Sequence, residues 1–216
     1  MITDETYLYL KRNYSDCSSW ALWNHKDLKQ DSHMHASDCR LDPFDKLLED
    51  SSFRKTHLNS NAIYLGLNFS ERDKKDITPD IPWSAFHDIT PRRTHDYNSL
   101  LILQGTKFEG CYMTDLIKNY RQTKGSEALR YIKKTENRSK LIEAAHVLQD
   151  EIDHIKPKFI FTCGNDTNNL FQELLPSGKY KLLNIYDARV EHITHWSSQQ
   201  ASRDEYLAIN KRLRQF

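Results

Sequence analysis

Short apolar runs, each ending at a glycine or a polar residue, recur along the last two-thirds of the chain, with amphipathic stretches between them. Ala62-Ile63-Tyr64-Leu65-Gly66-Leu67 reads as a buried parallel strand that enters a loop at Asn68. Three more strands are predicted: Cys111-Tyr112-Met113 after Gly110, residues 158–163 stopped by Gly164, and residues 190–194 ending at His195. Over residues 139–156, Leu141, Ile142, Ala145, Leu148, Ile152 and Ile155 share one helical stripe, and Pro157 ends it. Residues 166–174 predict a short helix. Residues 202–216 predict a closing one, with Ser202 as N-cap and Glu205 three residues later. Strands alternating with helices give an α/β fold: three layers, α/β/α, around a central, mainly parallel four-stranded sheet. The core is expected over residues 61–216. Residues 1–60 form an N-terminal extension packed on it, and no repeat or linker marks a second domain.

Parallel α/β sheets bind ligands beyond the C-terminal ends of their strands. The polar residues there are therefore the candidates. The four strands deliver Asn68, then Thr114-Asp115, then Gly164-Asn165-Asp166, then His195-Trp196-Ser197-Ser198. Taken singly, Asn68 and Asp115 read as caps or turn formers and His195 as a surface residue. Their joint placement after successive strands predicts a site.

Charge and composition narrow the choices. The chain has 216 residues, with 31 basic and 30 acidic, so it is not a polybasic protein, although a local basic face is allowed. A 38% hydrophobic content supplies a sizeable core and argues against disorder throughout. Only 6 glycines occur, and neither G-x-x-x-x-G-K-[ST] nor G-x-G-x-x-G is among the motifs, which sets aside the familiar phosphate loops. The N-terminus lacks the pattern of a secretory signal and no stretch is apolar enough to span a membrane, predicting a soluble cytoplasmic protein. Cys17, Cys39, Cys111 and Cys163 form no C-x-x-C pair and read as free thiols. His33, His35 and Cys39 carry metal-type side chains but lack a fourth ligand at convincing spacing, so no metal site is expected.

The ordered set Gly66-Leu67-Asn68-Phe69-Ser70, Tyr112-Met113-Thr114-Asp115-Leu116, residues 159–164 and His195-Trp196-Ser197 resembles the motifs of the uracil-DNA glycosylase superfamily. The resemblance spans roughly residues 60 to 214. It implies a monofunctional DNA glycosylase that flips a nucleotide out of DNA and hydrolyses its N-glycosidic bond, using water and no cofactor. By that resemblance Asn68 orients the attacking water or contacts the base and sugar. His195 donates a hydrogen bond to the departing base. Gly66, Leu67 and Asp115 belong to the base pocket, and Phe86 stands near the place of the family's stacking aromatic or is a core residue. Ser197 and Ser198, with their backbone N–H groups, would grip phosphates, and Ser70, Trp196 and Lys118 are further candidates for DNA contact. DNA is the expected partner of a monomeric protein.

The sequence departs from the family pattern at three points. Phe69 and Trp196 stand where the family has proline, which frees φ in both loops. The position of the intercalating residue falls near Gln199, which is not apolar. Asp115 replaces an asparagine common in uracil readers. An ionised carboxylate only accepts hydrogen bonds, so it suits the exocyclic amine of a cytosine-type base better than O4 of uracil, whereas a protonated Asp115 restores a donor and keeps uracil as a substrate. Basic residues cluster at Lys118, Arg121, Lys124, Arg130, Lys133, Lys134 and Arg138, with Tyr120 and Tyr131 among them, and again at Lys211, Arg212 and Arg214. Pro91-Arg92-Arg93 with His95 forms a smaller group. These fit phosphate contact, or a solvated helix face. Two alternatives use the same pocket: a catalytically weak or inactive relative that binds nucleic acid or a protein partner, and an enzyme of free nucleosides or nucleotides.

Overall fold

The computed structural model describes residues 1–24, 44–68, 82–87, 95, 98–118, 120, 122 and 124–216. The candidates Phe69, Ser70, His33, His35, Cys39, Arg121 and the group at 91–93 lie outside the described residues.

Helix α1 (Asp4–Tyr14) starts at Thr3, whose hydroxyl accepts the Thr6 N–H, and carries Asp4 and Glu5 against the positive end of its dipole. Strand β1 (Ser19–Trp20), helices α2 (Phe44–Glu49) and α3 (Ser51–His57), and strand β2 (Ala62–Asn68) follow. Then come α4 (Asn98–Leu103), β3 (Tyr112–Ile117), α5 (Gly125–Ile132), α6 (Arg138–Ile155), β4 (Phe159–Cys163), α7 (Asn165–Leu174), β5 (Arg189–Ile193) and α8 (Arg203–Leu213). Helix α6 stops as predicted before Pro157, with Lys156 in the left-handed region at φ 50°. Ser202 caps α8 by accepting the Glu205 N–H, but the Glu205 carboxylate takes the Thr194 hydroxyl. The closing helix is thereby tied to the end of β5.

The sheet runs β1-β3-β2-β4-β5, parallel except for β1, which pairs antiparallel with β3 through Ser19↔Met113 and Trp20↔Tyr112. It is thus five-stranded rather than four-stranded. Two residues give too little periodicity to be read as a strand; tertiary packing makes this one. Trp20 sits with Tyr7, Trp83 and Tyr112 in an aromatic cluster, at ring separations of 6.4, 5.6 and 5.2 Å respectively. The first 24 residues therefore extend the sheet itself and do more than cover it.

Helices lie on both faces. On one, Leu141, Ala145, Leu148 and Ile152 of α6, with Leu170 and Phe171 of α7, bury Ile63, Leu65 and Tyr112. On the other, Leu100 to Leu103 of α4, with Tyr206 and Ile209 of α8, bury Tyr64, Met113 and Phe161. The alternation of side chains along each strand separates the two cores. From β2 the chain crosses first to β3 on one side and later to β4 on the other. The switch point of this parallel sheet lies between β2 and β4, the place where such folds open a crevice.

Candidate functional site

Strand β2 ends at Asn68 and β5 runs out just before His195, on either side of β4. The pairings Leu65↔Thr162 and Cys163↔Ile193 bring both residues to the same level, two strand spacings or about 10 Å apart. Between them Gly164 takes φ 86°, a conformation that favours glycine. A Cβ there would stand 3.2 Å from Cβ of His195, so Gly164 also makes room for the histidine.

The His195 ring is held in one orientation. The Ser197 backbone N–H donates to Nδ1 at 3.1 Å, and Oγ of Ser197 lies 2.9 Å from the same nitrogen. A backbone N–H can only donate, so Nδ1 is the bare nitrogen and Nε2 carries the proton of the neutral ring. Loss of solvent around the ring lowers its pKa from 6.5 to about 4, because burial disfavours the imidazolium. At neutral pH the group is a fixed, uncharged N–H donor.

The 195–198 segment forms a turn closed by the Ser198 N–H on the His195 carbonyl at 3.0 Å. Both backbone N–H groups expected to hold phosphate are therefore used inside the turn: Ser197's on the imidazole, Ser198's on the carbonyl. The Ser197 hydroxyl is also turned to the imidazole.

Trp196 folds inward. Its indole is 7% exposed and stacks on His195 at 4.0 Å, with Tyr64 at 5.4 Å and Phe86 edge-on at 5.7 Å. The side chain expected to touch DNA is thus mostly covered by the protein itself. With tryptophan and no proline at 196, the backbone is free to turn the side chain over the sheet, where it buries a large apolar surface.

Asp115 lies inside β3, not in a loop after it, because the strand continues through Leu116 and Ile117. It pairs with Gly66 and is 4% exposed. A Cβ on Gly66 would stand 2.1 Å from Oδ1 of Asp115 and 3.0 Å from Cη2 of Trp196. Glycine at 66 is what allows the carboxylate and the indole to meet over the middle strand. Leu67 points to the opposite core and toward Gly125.

Asn68 is half-buried, and its Nδ2 donates to the Gln122 carbonyl at 2.6 Å. Its Oδ1 is the side of the carboxamide nearer Gly125. Phe86 is half-buried in the turn Ser84 to His87 and adopts φ 65°, a strained value for a bulky residue. The structure thus gathers Gly66, Asp115, Trp196, Phe86 and His195, and sets Asn68 on the same rim with its carboxamide turned to the 122–125 segment.

Lys118, expected among the DNA contacts, is engaged within the protein. Its ammonium donates to the Asp115 carbonyl at 2.6 Å and to Glu151 at 2.7 Å. Glu151 is fully buried and also accepts from Tyr112 and Thr114, each at 2.9 Å. Burial pushes this carboxyl upward and Lys118 opposes that shift. The pair fixes β3 to α6. Much of the neighbouring basic cluster is likewise engaged: Lys124 with Glu127, Lys133 with Glu173, Lys134 with Glu136, and Arg138 over the Tyr180 ring.

Sequence reasoning missed Asn98 and Tyr206. The Asn98 amide donates to the Trp196 carbonyl at 2.7 Å. The Tyr206 hydroxyl lies 3.0 Å from the His195 carbonyl and 3.1 Å from that of Trp196. No local pattern announces either residue, since the partners are about ten and a hundred positions away in sequence.

Cys17, Cys111 and Cys163 are free thiols. Among the described residues no group of three or more His, Cys, Asp or Glu side chains could hold a metal ion, and no helix is long and apolar enough to cross a membrane. The sequence matches no protein-family model and no curated protein.

Proposed function

We propose that the protein is a glycosylase-like hydrolase of uracil-DNA-glycosylase-like fold, cleaving the N-glycosidic bond of a nucleotide turned out of DNA. The observation that carries the reading is His195: a neutral imidazole, its proton assigned to Nε2 by the Ser197 N–H, beyond the C-terminal end of β5 and beside Gly164. In the reaction the C1′–N bond breaks and its electron pair leaves with the base. Water adds to C1′, and the proton it gives up ends on the departed base, which leaves neutral. His195 Nε2–H stabilises the negative charge growing on the base, a role that a preorganised donor performs best away from solvent. Asn68, whose Nδ2 donates to the Gln122 carbonyl, must turn its carboxamide toward the sugar to orient the water. Asp115 accepts from an exocyclic amine, which favours a cytosine-type or modified base over uracil. Because Trp196 lies over Gly66 beside Asp115, the indole must rotate for a base to reach the carboxylate.

The test is base release from a panel of oligonucleotides carrying uracil, cytosine or modified cytosines, with Asp115→Asn alongside the natural protein. Release of an amine-bearing base, shifting toward uracil in the variant, supports the reading. Uracil preference unchanged by the substitution removes Asp115 from base selection.

A second reading has its own support. With the indole covering Gly66 and the Asn68 amide on Gln122, the same rim suits a nucleic-acid or protein binder with little or no turnover. Substituting His195 separates the two, since a binder keeps its affinity and an enzyme loses its rate.

A further inference from the structure

The His195-Trp196 loop lacks the proline that would stiffen it, yet two side chains from distant helices close on its main chain. Asn98 opens α4, and its Nδ2 donates to the Trp196 carbonyl at 2.7 Å. Tyr206 lies in α8, and its hydroxyl reaches the carbonyls of both His195 and Trp196, at 3.0 and 3.1 Å. Asn98 is 8% exposed and Tyr206 2%, so water competes little for these bonds. The helices that carry them pack on each other, with Asn210 of α8 donating to the carbonyls of Ile102 and Gln104 at 3.0 Å each. The clamp is therefore built on a rigid pair.

We infer that Asn98 and Tyr206 are positioning residues, which fix the His195-Trp196 main chain so that the Ser197 N–H stays on Nδ1 and the proton stays on Nε2. The inference rests on the reading of His195 as the donor to the leaving base, but its effect on the ring is separate from any activity. The geometry has three links. The two side chains hold the carbonyls of 195 and 196. The turn then places the Ser197 N–H over the ring, with Ser198 closing it at 3.0 Å. The N–H in turn selects the tautomer. Loosening the first link frees the ring to exchange its two neutral forms, and the donor is then present only part of the time. A purely structural pair of bonds would lower stability without changing the protonation of the ring.

The experiment is ¹⁵N NMR of the His195 ring at pH 7 in the full chain, comparing the natural protein with Tyr206→Phe and Asn98→Leu. Each variant removes a donor and keeps most of the side-chain volume. The natural protein is expected to show one tautomer, protonated at Nε2. In either folded variant the two nitrogen shifts should move toward each other, as in an exchanging ring. Unchanged ring shifts in both variants overturn the inference. Single-turnover base release is followed on the same samples, with an expected loss of at least about tenfold while DNA affinity stays within about twofold. Ring shifts that respond as expected in a protein that releases no base keep the positioning role and reject base excision.

Discussion

The Ser197 backbone N–H donates to Nδ1 of His195 at 3.1 Å, and that bond decides which ring nitrogen is left to act. The ring is also resistant to protonation, with a pKa lowered to about 4 by loss of solvent. Its ordinary value near 6.5 applies in the unfolded chain. Between pH 6.5 and 4 the unfolded state therefore binds a proton that the native state refuses, and stability falls as the pH drops through that window. The full effect is up to about 3 kcal/mol at pH 4. Urea unfolding of the natural protein and His195→Gln at pH 7 and 4.5 checks this. The natural protein should lose more stability than the variant; equal losses would show the ring to be solvated.

Gly66 should not tolerate a side chain. An added Cβ stands 2.1 Å from Oδ1 of Asp115 and 3.0 Å from the Trp196 ring, in a region with almost no exposure. Gly66→Ala is expected to cost about 1–3 kcal/mol through overpacking. Adding Asp115→Ala should recover part of that cost, because the closer obstacle is gone. A double-mutant cycle by chemical denaturation measures it, with a coupling of at least about 1 kcal/mol expected. Additive effects would mean that the carboxylate does not lie over the glycine.

Lys118 and Glu151 hold the sheet, so their substitution should act on stability. Glu151→Ala leaves an ammonium and two hydroxyls facing a buried void. A loss of about 3–5 kcal/mol is expected. Replacing both ends, with Lys118→Met and Glu151→Leu, should be far milder because no charge is stranded. Thermal unfolding distinguishes these outcomes. A mild Glu151→Ala variant would indicate that water reaches the pair.

The four longer strands and the helices at 138–155, 165–174 and 203–213 were legible in the sequence to within a few residues at most ends, because their apolar spacing is set by the faces they bury. The continuation of β3 to Ile117 was not. Asp115 looks like a strand terminator in isolation, and only the gap over Gly66 accommodates its carboxylate. Strand β1 escaped because two residues carry no period.

The rim was partly legible. Placement of Asn68 and His195 follows from strand order and from where the apolar runs stop. The inward fold of Trp196, the use of the Ser197 and Ser198 N–H groups within the turn, and the burial of Lys118 against Glu151 depend on partners distant in the chain or on the path of a loop. The resemblance gave the Ser197 and Ser198 N–H groups to phosphate, and Trp196 and Lys118 to DNA contact. Asn98 and Tyr206 had no signal of either kind.

Single-turnover release of free base from oligonucleotides, compared between the natural protein and His195→Ala, tests the central claim most directly. The account predicts measurable release of an amine-bearing pyrimidine by the natural protein. It predicts a fall of about 10²–10³-fold in the variant, the loss typical of removing one preorganised donor. Salt-sensitive DNA binding that survives His195→Ala, with no base released by either protein, would contradict it.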